Sequence, residues 1–175
     1  MQKPIIISYS FNGNNEKLAT ALHQHIQGEH YPLSEAKIRT YGKIFFDTLF
    51  MRSPKVENLP DLEPSHHVIL VGPIWIGRPA SVLKRAMAAI KKQKLAYSFI
   101  SISGGDAVHN KNLVKYLTQM TGSAPTFLAV KAIVALAPPG LKSQEVMQYQ
   151  VEEPVIQQEA SILAEGWKQA VKPSR

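Results

Sequence analysis

The sequence contains no cysteine, which excludes disulfide bonds, thiolate metal sites and thiol catalysis. No run approaches the ~20 apolar residues that a helix needs to cross a bilayer. The N-terminus offers Lys3 and an apolar run too short for the hydrophobic region of a secretory signal, so a cytoplasmic protein is expected. Familiar ligand fingerprints are scarce as well. There is no GxGxxG, hence no nicotinamide-type Rossmann turn. Gly72 to Pro79 has a superficial likeness to a P-loop, but Arg78-Pro79 stands where Lys and Ser/Thr are required. No GxSxG elbow is present. His66 and His67 are adjacent and would point to opposite faces of a strand, a poor pair of metal ligands. Internal repeats and low-complexity linkers are absent, and only Lys172 to Arg175 reads as disordered.

Acidic residues are the minority. Lys and Arg number 20 against 13 Asp and Glu, a formal net charge of +7 and a pI of about 9.6. Such a balance suits nucleic acid, a membrane surface or an anionic small ligand. The densest basic run, Lys84-Arg85 with Lys91, Lys92 and Lys94, is spaced with Val82, Leu83, Met87 and Ile90 as the polar face of an amphipathic helix. No RNA-binding aromatic signature or zinc-finger spacing accompanies it. The expected partners are therefore small molecules, not nucleic acid or membrane.

A chain of 175 residues, 45% of them hydrophobic, fits one domain over 1–175 with a full core. Pro4 to Tyr9, His67 to Gly72 and Tyr97 to Ser103 read as buried strands, and Thr126 to Leu136 as a fourth strong one. Tyr31 to Leu33 is a candidate short strand. Helical periods cover Asn14 to Ile26, Asn112 to Met120 and the stretch from Pro154, with Val155, Ile156, Ala160, Leu163 and Trp167 on one stripe. Pro79 is expected to open a helix that runs to about Lys92. Ile44 to Met51 is a candidate helix whose Phe45, Phe46, Leu49 and Phe50 suit a core or an interface, and Gly140 to Val151 has room for another. Alternating strands and helices predict an α/β fold: a doubly wound five-stranded parallel sheet with helices on both faces.

That class takes its ligands beyond the carboxyl ends of the strands. The turns that fall there are Ser10-Phe11-Asn12-Gly13-Asn14-Asn15, Pro73-Ile74-Trp75-Ile76-Gly77-Arg78-Pro79 and Ser103-Gly104-Gly105-Asp106. The first can cradle a phosphate on free N–H groups at a helix start, with Gly13 allowing close approach. It would look the same as a plain helix cap. Trp75 suits stacking on a planar ring, or packing under a neighbouring loop. Gly104 and Gly105 suit bare-backbone contact with a ligand, or a tight turn. His109 near Asp106 reads as a surface histidine rather than an acid or base.

Together the three turns resemble those of the flavodoxin-like flavoproteins. The first is similar to that family's FMN phosphate loop, usually S/T-x-T-G-N-T followed by an Ala-containing helix, here with Ala19. "PIWIGRP" resembles the second flavin loop, and "SISGGD" the third in the reductase branches. The resemblance implies that Ser10, Asn12, Gly13, Asn14 and Asn15 hold the phosphate. It places Pro73, Ile74, Trp75, Ile76 and Gly77, with Ser103, Gly104, Gly105 and Asp106, along the isoalloxazine. Asn12 and Asn15 depart from the pattern by standing where Thr is common, and the chain is basic where electron-carrier flavodoxins are acidic. The activity implied is an FMN-dependent oxidoreductase passing electrons from NAD(P)H to a quinone, flavin or similar acceptor, with no catalytic acid or base. A flavodoxin-type electron carrier, or a flavin-free interaction protein on the same scaffold, are the alternatives. Some reductases of this kind are homodimers, and the 44–51 stretch could serve such a contact.

Overall fold

In the computed structural model, residues 2–35, 56–104 and 112–172 are described. The strands are β1 (Lys3–Ser8), β2 (Glu29–Pro32), β3 (His66–Val71), β4 (Ala96–Ser103) and β5 (Phe127–Ala132). They form one parallel sheet in the order β2-β1-β3-β4-β5. The longer helices are α1 (Asn14–Ile26), α2 (Lys84–Gln93), α3 (Leu113–Thr121) and α4 (Glu153–Ala170). The predicted doubly wound sheet is the observed one.

Both faces of the sheet are covered, which explains why its strands are apolar at successive positions. Ile5, Ile7, Val68, Leu70, Tyr97 and Phe99 face one side, against Met87 and Ile90 of α2 and Leu113 and Leu117 of α3. Ile6, Ile69, Val71, Ile100 and Ile102 face the other, against Leu18 and Leu22 of α1 and Ile156, Ala160 and Trp167 of α4. The register Ile5↔Val68, Ile6↔Ile69, Ile7↔Leu70 keeps each set on its own face. Truncating a residue as enclosed as Ile69, which has no exposed surface, costs about 2–5 kcal/mol through the cavity left behind. The adjacent histidines do point opposite ways. His66 Nδ1 accepts the Glu63 N–H at 2.9 Å, while His67 lies edge-on to Trp167 of α4.

Three expectations need correction. Pro79 does not open a helix. It closes a two-residue hairpin, Ile74–Trp75 against Arg78–Pro79, and the Ala80 N–H then donates to Pro73 O at 2.9 Å. Pro suits such an edge, where no donor is required. A 3-10 turn at Ser81–Leu83 follows before α2 begins at Lys84. The second correction concerns Thr126 to Leu136: the strand stops at Ala132, and Ile133–Leu136 is a helical turn. Its partner runs out at Ser103↔Ala132, and a strand without a neighbour has nowhere to send its backbone bonds. Lys84 also leaves the solvated face assigned to it, being buried, whereas Arg85, Lys91, Lys92 and Lys94 are exposed.

The short strand near Tyr31 is β2, and the helix expected between Gly140 and Val151 is Ser143–Gln148. The candidate helix Ile44 to Met51 lies outside the described residues, as do Gly105, Asp106 and His109. No described helix is long and apolar enough to cross a membrane.

Candidate functional site

β1, β3 and β4 end at one edge of the sheet. From there the chain leaves β1 toward β2 on one side and β3 toward β4 on the other, so a crevice opens between β1 and β3. The Tyr9 N–H donates to Val71 O at 2.9 Å and carries the β1–β3 pairing to the crevice mouth. The chain then bends through Phe11 and Asn12 to Gly13, the N-cap of α1, at φ +91. A Cβ placed on Gly13 would meet nothing within 4 Å, so the loop is open there, yet its φ favours glycine.

The first intrahelical bond runs from the Lys17 N–H to Gly13 O at 3.0 Å. The N–H groups of Asn14, Asn15 and Glu16 therefore have no carbonyl within the helix. Asn12 Oδ1 reaches that of Asn14 at a weak 3.4 Å. Gly13, as the N-cap, contributes no side-chain cap of its own. Among the described residues the buried Ser10 Oγ has no hydrogen-bond partner, a state that costs roughly 1–3 kcal/mol.

Asn14 and Asn15 have a second task. Asn14 Nδ2 donates to Tyr149 O at 2.8 Å, and its Oδ1 accepts the Val151 N–H at 2.9 Å. Asn15 Nδ2 donates to Ile102 O, and its Oδ1 accepts the Ile102 N–H, both at 2.9 Å. Both side chains are buried. Their amides fasten the loop to the 149–151 segment and to β4, so what they offer a ligand is backbone N–H.

The hairpin after β3 turns through Ile76 at φ 51 and Gly77 at φ 70. Both central residues at positive φ make this the type I′ geometry of tight hairpins. Ile74 is buried beneath it, Pro73 is half-buried and Ile76 is exposed. Half-buried Trp75 meets Tyr9 and Phe11 edge to face, at centroid distances of 6.1 and 6.3 Å. The first two loops are thus brought together through aromatic rings. Ser103 is buried at the end of β4 and Gly104 is exposed beside them in the sheet order.

No family model matches the sequence, and no curated protein is detectably similar to it. Solved structures do match. A flavoprotein of Lactobacillus acidophilus NCFM in complex with FMN aligns with a TM-score of 0.63 at 19% identity, over 75% of this chain and 94% of that one. A candidate flavoprotein of Bacteroides eggerthii gives 0.63 at 13%, over 94% and 99%. The Trp repressor binding protein of Bacillus subtilis gives 0.50 at 14%, over 92% and 98%.

The fold is flavodoxin-like.

In a flavodoxin-like sheet the β1/β3 crevice is the switch point at which ligands bind, and the loops above line it. The structure adds residues that inspection of the sequence passed over. Tyr9 and Phe11 flank Ser10 and gather round Trp75, a pairing across more than sixty positions that no local pattern announces. Below the first loop, Ser8 Oγ donates to Glu16 Oε2 at 2.9 Å and lies 2.8 Å from His30 Nε2. Burial lowers the His30 pKa, with Glu16 opposing that shift and His23 adding to it. This chain of bonds holds the Glu16 carboxylate against Ser8. A Ser closing an apolar strand was its one visible signal.

Proposed function

We propose that the chain binds FMN at the β1/β3 crevice and passes electrons from NAD(P)H to a quinone, a flavin or a similar small acceptor. The observation that carries this reading is the Ser10 hydroxyl, buried without a partner among the described residues, in the loop that leads to the open N-terminus of α1 and whose Phe11 meets Trp75. A phosphate oxygen would satisfy the buried hydroxyl, accept the outward N–H groups and gain from the helix dipole. Asn12 and Gly13 would border the phosphate, and Trp75, Ile76, Gly77 and Gly104 the ring. Gly105 and Asp106, outside the described residues, belong to the proposed ring edge on the sequence resemblance alone.

FMN, when bound, supplies the electron-transfer chemistry. The protein's part is to hold and orient it: N–H groups fix the phosphate, and the aromatic group of Tyr9, Phe11 and Trp75 excludes water from one side. The Ser8–Glu16–His30 bonds keep a carboxylate in the first turn of α1 occupied with its own partners.

Fluorescence titration with FMN and with riboflavin tests the proposal. FMN is expected to bind at micromolar concentration or tighter, and riboflavin, lacking the phosphate, about tenfold or more weakly. Ser10→Ala should weaken FMN while leaving riboflavin unchanged. No FMN binding, or equal affinity for both ligands, overturns the site. Anaerobic NAD(P)H should then bleach the bound flavin, and colour that persists would favour an electron carrier without its own NAD(P)H activity.

A further inference from the structure

Glu16 occupies the third position of α1 after the Gly13 N-cap. A carboxylate there commonly turns back to the N-cap N–H, where it would take the place of an anion. In this protein it is held against β1 instead. Ser8 Oγ, on a residue with no exposed surface, donates to Glu16 Oε2 at 2.9 Å and lies 2.8 Å from His30 Nε2. A hydroxyl has one proton, and here it is directed to the carboxylate. The Ser8 oxygen therefore accepts from His30, which fixes the neutral ring as its Nε2–H tautomer. Nδ1 is left as the basic nitrogen, and among the described residues it makes no hydrogen bond. A second proton can enter at Nδ1 without breaking any bond of the chain His30–Ser8–Glu16.

The ring is in reach of both solvent and the proposed anion. His30 is half-buried on β2, so a proton can arrive from water. The charged and titratable groups that face it are Glu16 and His23, both of α1, with the His23 ring 6.3 Å away between centroids. Burial favours the neutral ring, Glu16 opposes it and His23 adds to it, a balance that a further charge can tip. Ser8 precedes Ser10 by two residues, which span at most about 7 Å. Glu16 belongs to the turn whose N–H groups would bind the phosphate. Such a separation is of the order of the Debye length, about 8 Å at physiological salt, and partly buried charges are screened less than that.

We propose that His30 senses the anion at α1: a phosphate bound there draws a proton from solvent onto His30 Nδ1, so that FMN binding takes up a proton and tightens as pH falls. The inference rests on the FMN reading above. It needs no change in the fold. The phosphate and Glu16 put negative charge at the same end of α1, and the imidazolium offsets it where the neutral ring cannot. Riboflavin carries the same ring system without the phosphate, and is expected to leave His30 neutral.

FMN titration of the wild-type protein comes first, because absence of binding removes the FMN reading and this inference with it. With FMN bound, an NMR titration of the His30 ring is expected to have its midpoint about half a pH unit or more above that of the ligand-free protein. Riboflavin should leave the midpoint in place. In the ligand-free protein Glu16→Gln should lower it, since the charge that opposes burial is gone. Linkage converts half a unit into about threefold in affinity. The wild type is therefore expected to gain about threefold in FMN affinity from about pH 7.5 to about pH 5 relative to His30→Gln, whose amide can take the place of the Nε2–H. The second ionisation of the phosphate, near about pH 6, is common to both proteins and cancels in the comparison. Four outcomes overturn the inference alone: FMN bound with the midpoint unmoved, a shift that riboflavin produces equally, a ligand-free midpoint that Glu16→Gln does not lower, or the same pH dependence in the wild type and His30→Gln.

Discussion

A β-branched residue in the left-handed region is rare and costly. Ile76 sits there at φ 51 with 67% of its surface exposed, so packing offsets little of the strain. Its turn is the type that prefers Asn-Gly. Ile76→Asn is therefore expected to stabilise the protein by about 1 kcal/mol, a rise in Tm of about 2–4 °C for a chain of this size. Scanning calorimetry would read it, and a lower Tm would show that the Ile76 side chain does more in the fold than its exposure suggests. His67 gives a pH-dependent case. Its Nε2 is 2.9 Å from Ser98 Oγ and receives the Trp167 indole N–H at 3.4 Å, an arrangement for the neutral ring. Burial lowers its pKa from 6.5 to about 4. The unfolded chain thus takes up this proton first. The stability tied to the neutral ring is complete above about pH 6.5 and lost as pH falls through about 4. The loss is at most about 3 kcal/mol. Urea unfolding of the wild type and of His67→Leu at neutral pH and near pH 4 would show it. Equal acid sensitivity in the two proteins would dismiss His67 as the cause.

The elements show how α1 is set in place. Gly13 at its N-cap has no side chain to cap with, and the anchoring falls to Asn15, whose amide pairs with both backbone groups of Ile102. Asn15→Leu would leave that N–H and C=O buried without partners, at a cost of about 2–4 kcal/mol. A lower urea midpoint with an unchanged slope is expected, and an unaltered midpoint would mean that another group takes over. In the sequence Asn15 reads as a cap or an anion donor, because its partner is 87 positions away. Elements whose cause is local were legible: the continuous apolar runs of β1 and β3, and the period of α1 with its bounds at Asn14 and Ile26. Those decided by neighbours were not. β5 loses its partner at Ser103 while its apolar sequence continues, and Pro79 satisfies a helix start as readily as the edge of a hairpin.

For the whole molecule, the parallel sheet covered on both faces and the edge at which the loops gather follow from alternating strands and helices, and both were readable. The contacts that turn the loops into a site were not, since Trp75 reaches Tyr9 and Phe11, and Arg78 reaches Tyr116, through tertiary packing alone. Net charge is also a property of this scale. The chain whose crevice is proposed to hold a phosphate dianion carries a formal net charge of +7, and long-range attraction raises association rates more than it lowers dissociation rates. Screening shortens its reach from about 20 Å in 0.02 M salt to about 6 Å in 0.3 M. The FMN on-rate in stopped flow is therefore expected to fall several-fold across that range, with the off-rate nearly constant because N–H groups at contact distance are little screened. Riboflavin, without the phosphate, should show a flat on-rate in the same experiment. A steep salt dependence for riboflavin, or none for FMN, would detach the basic charge of the chain from ligand capture.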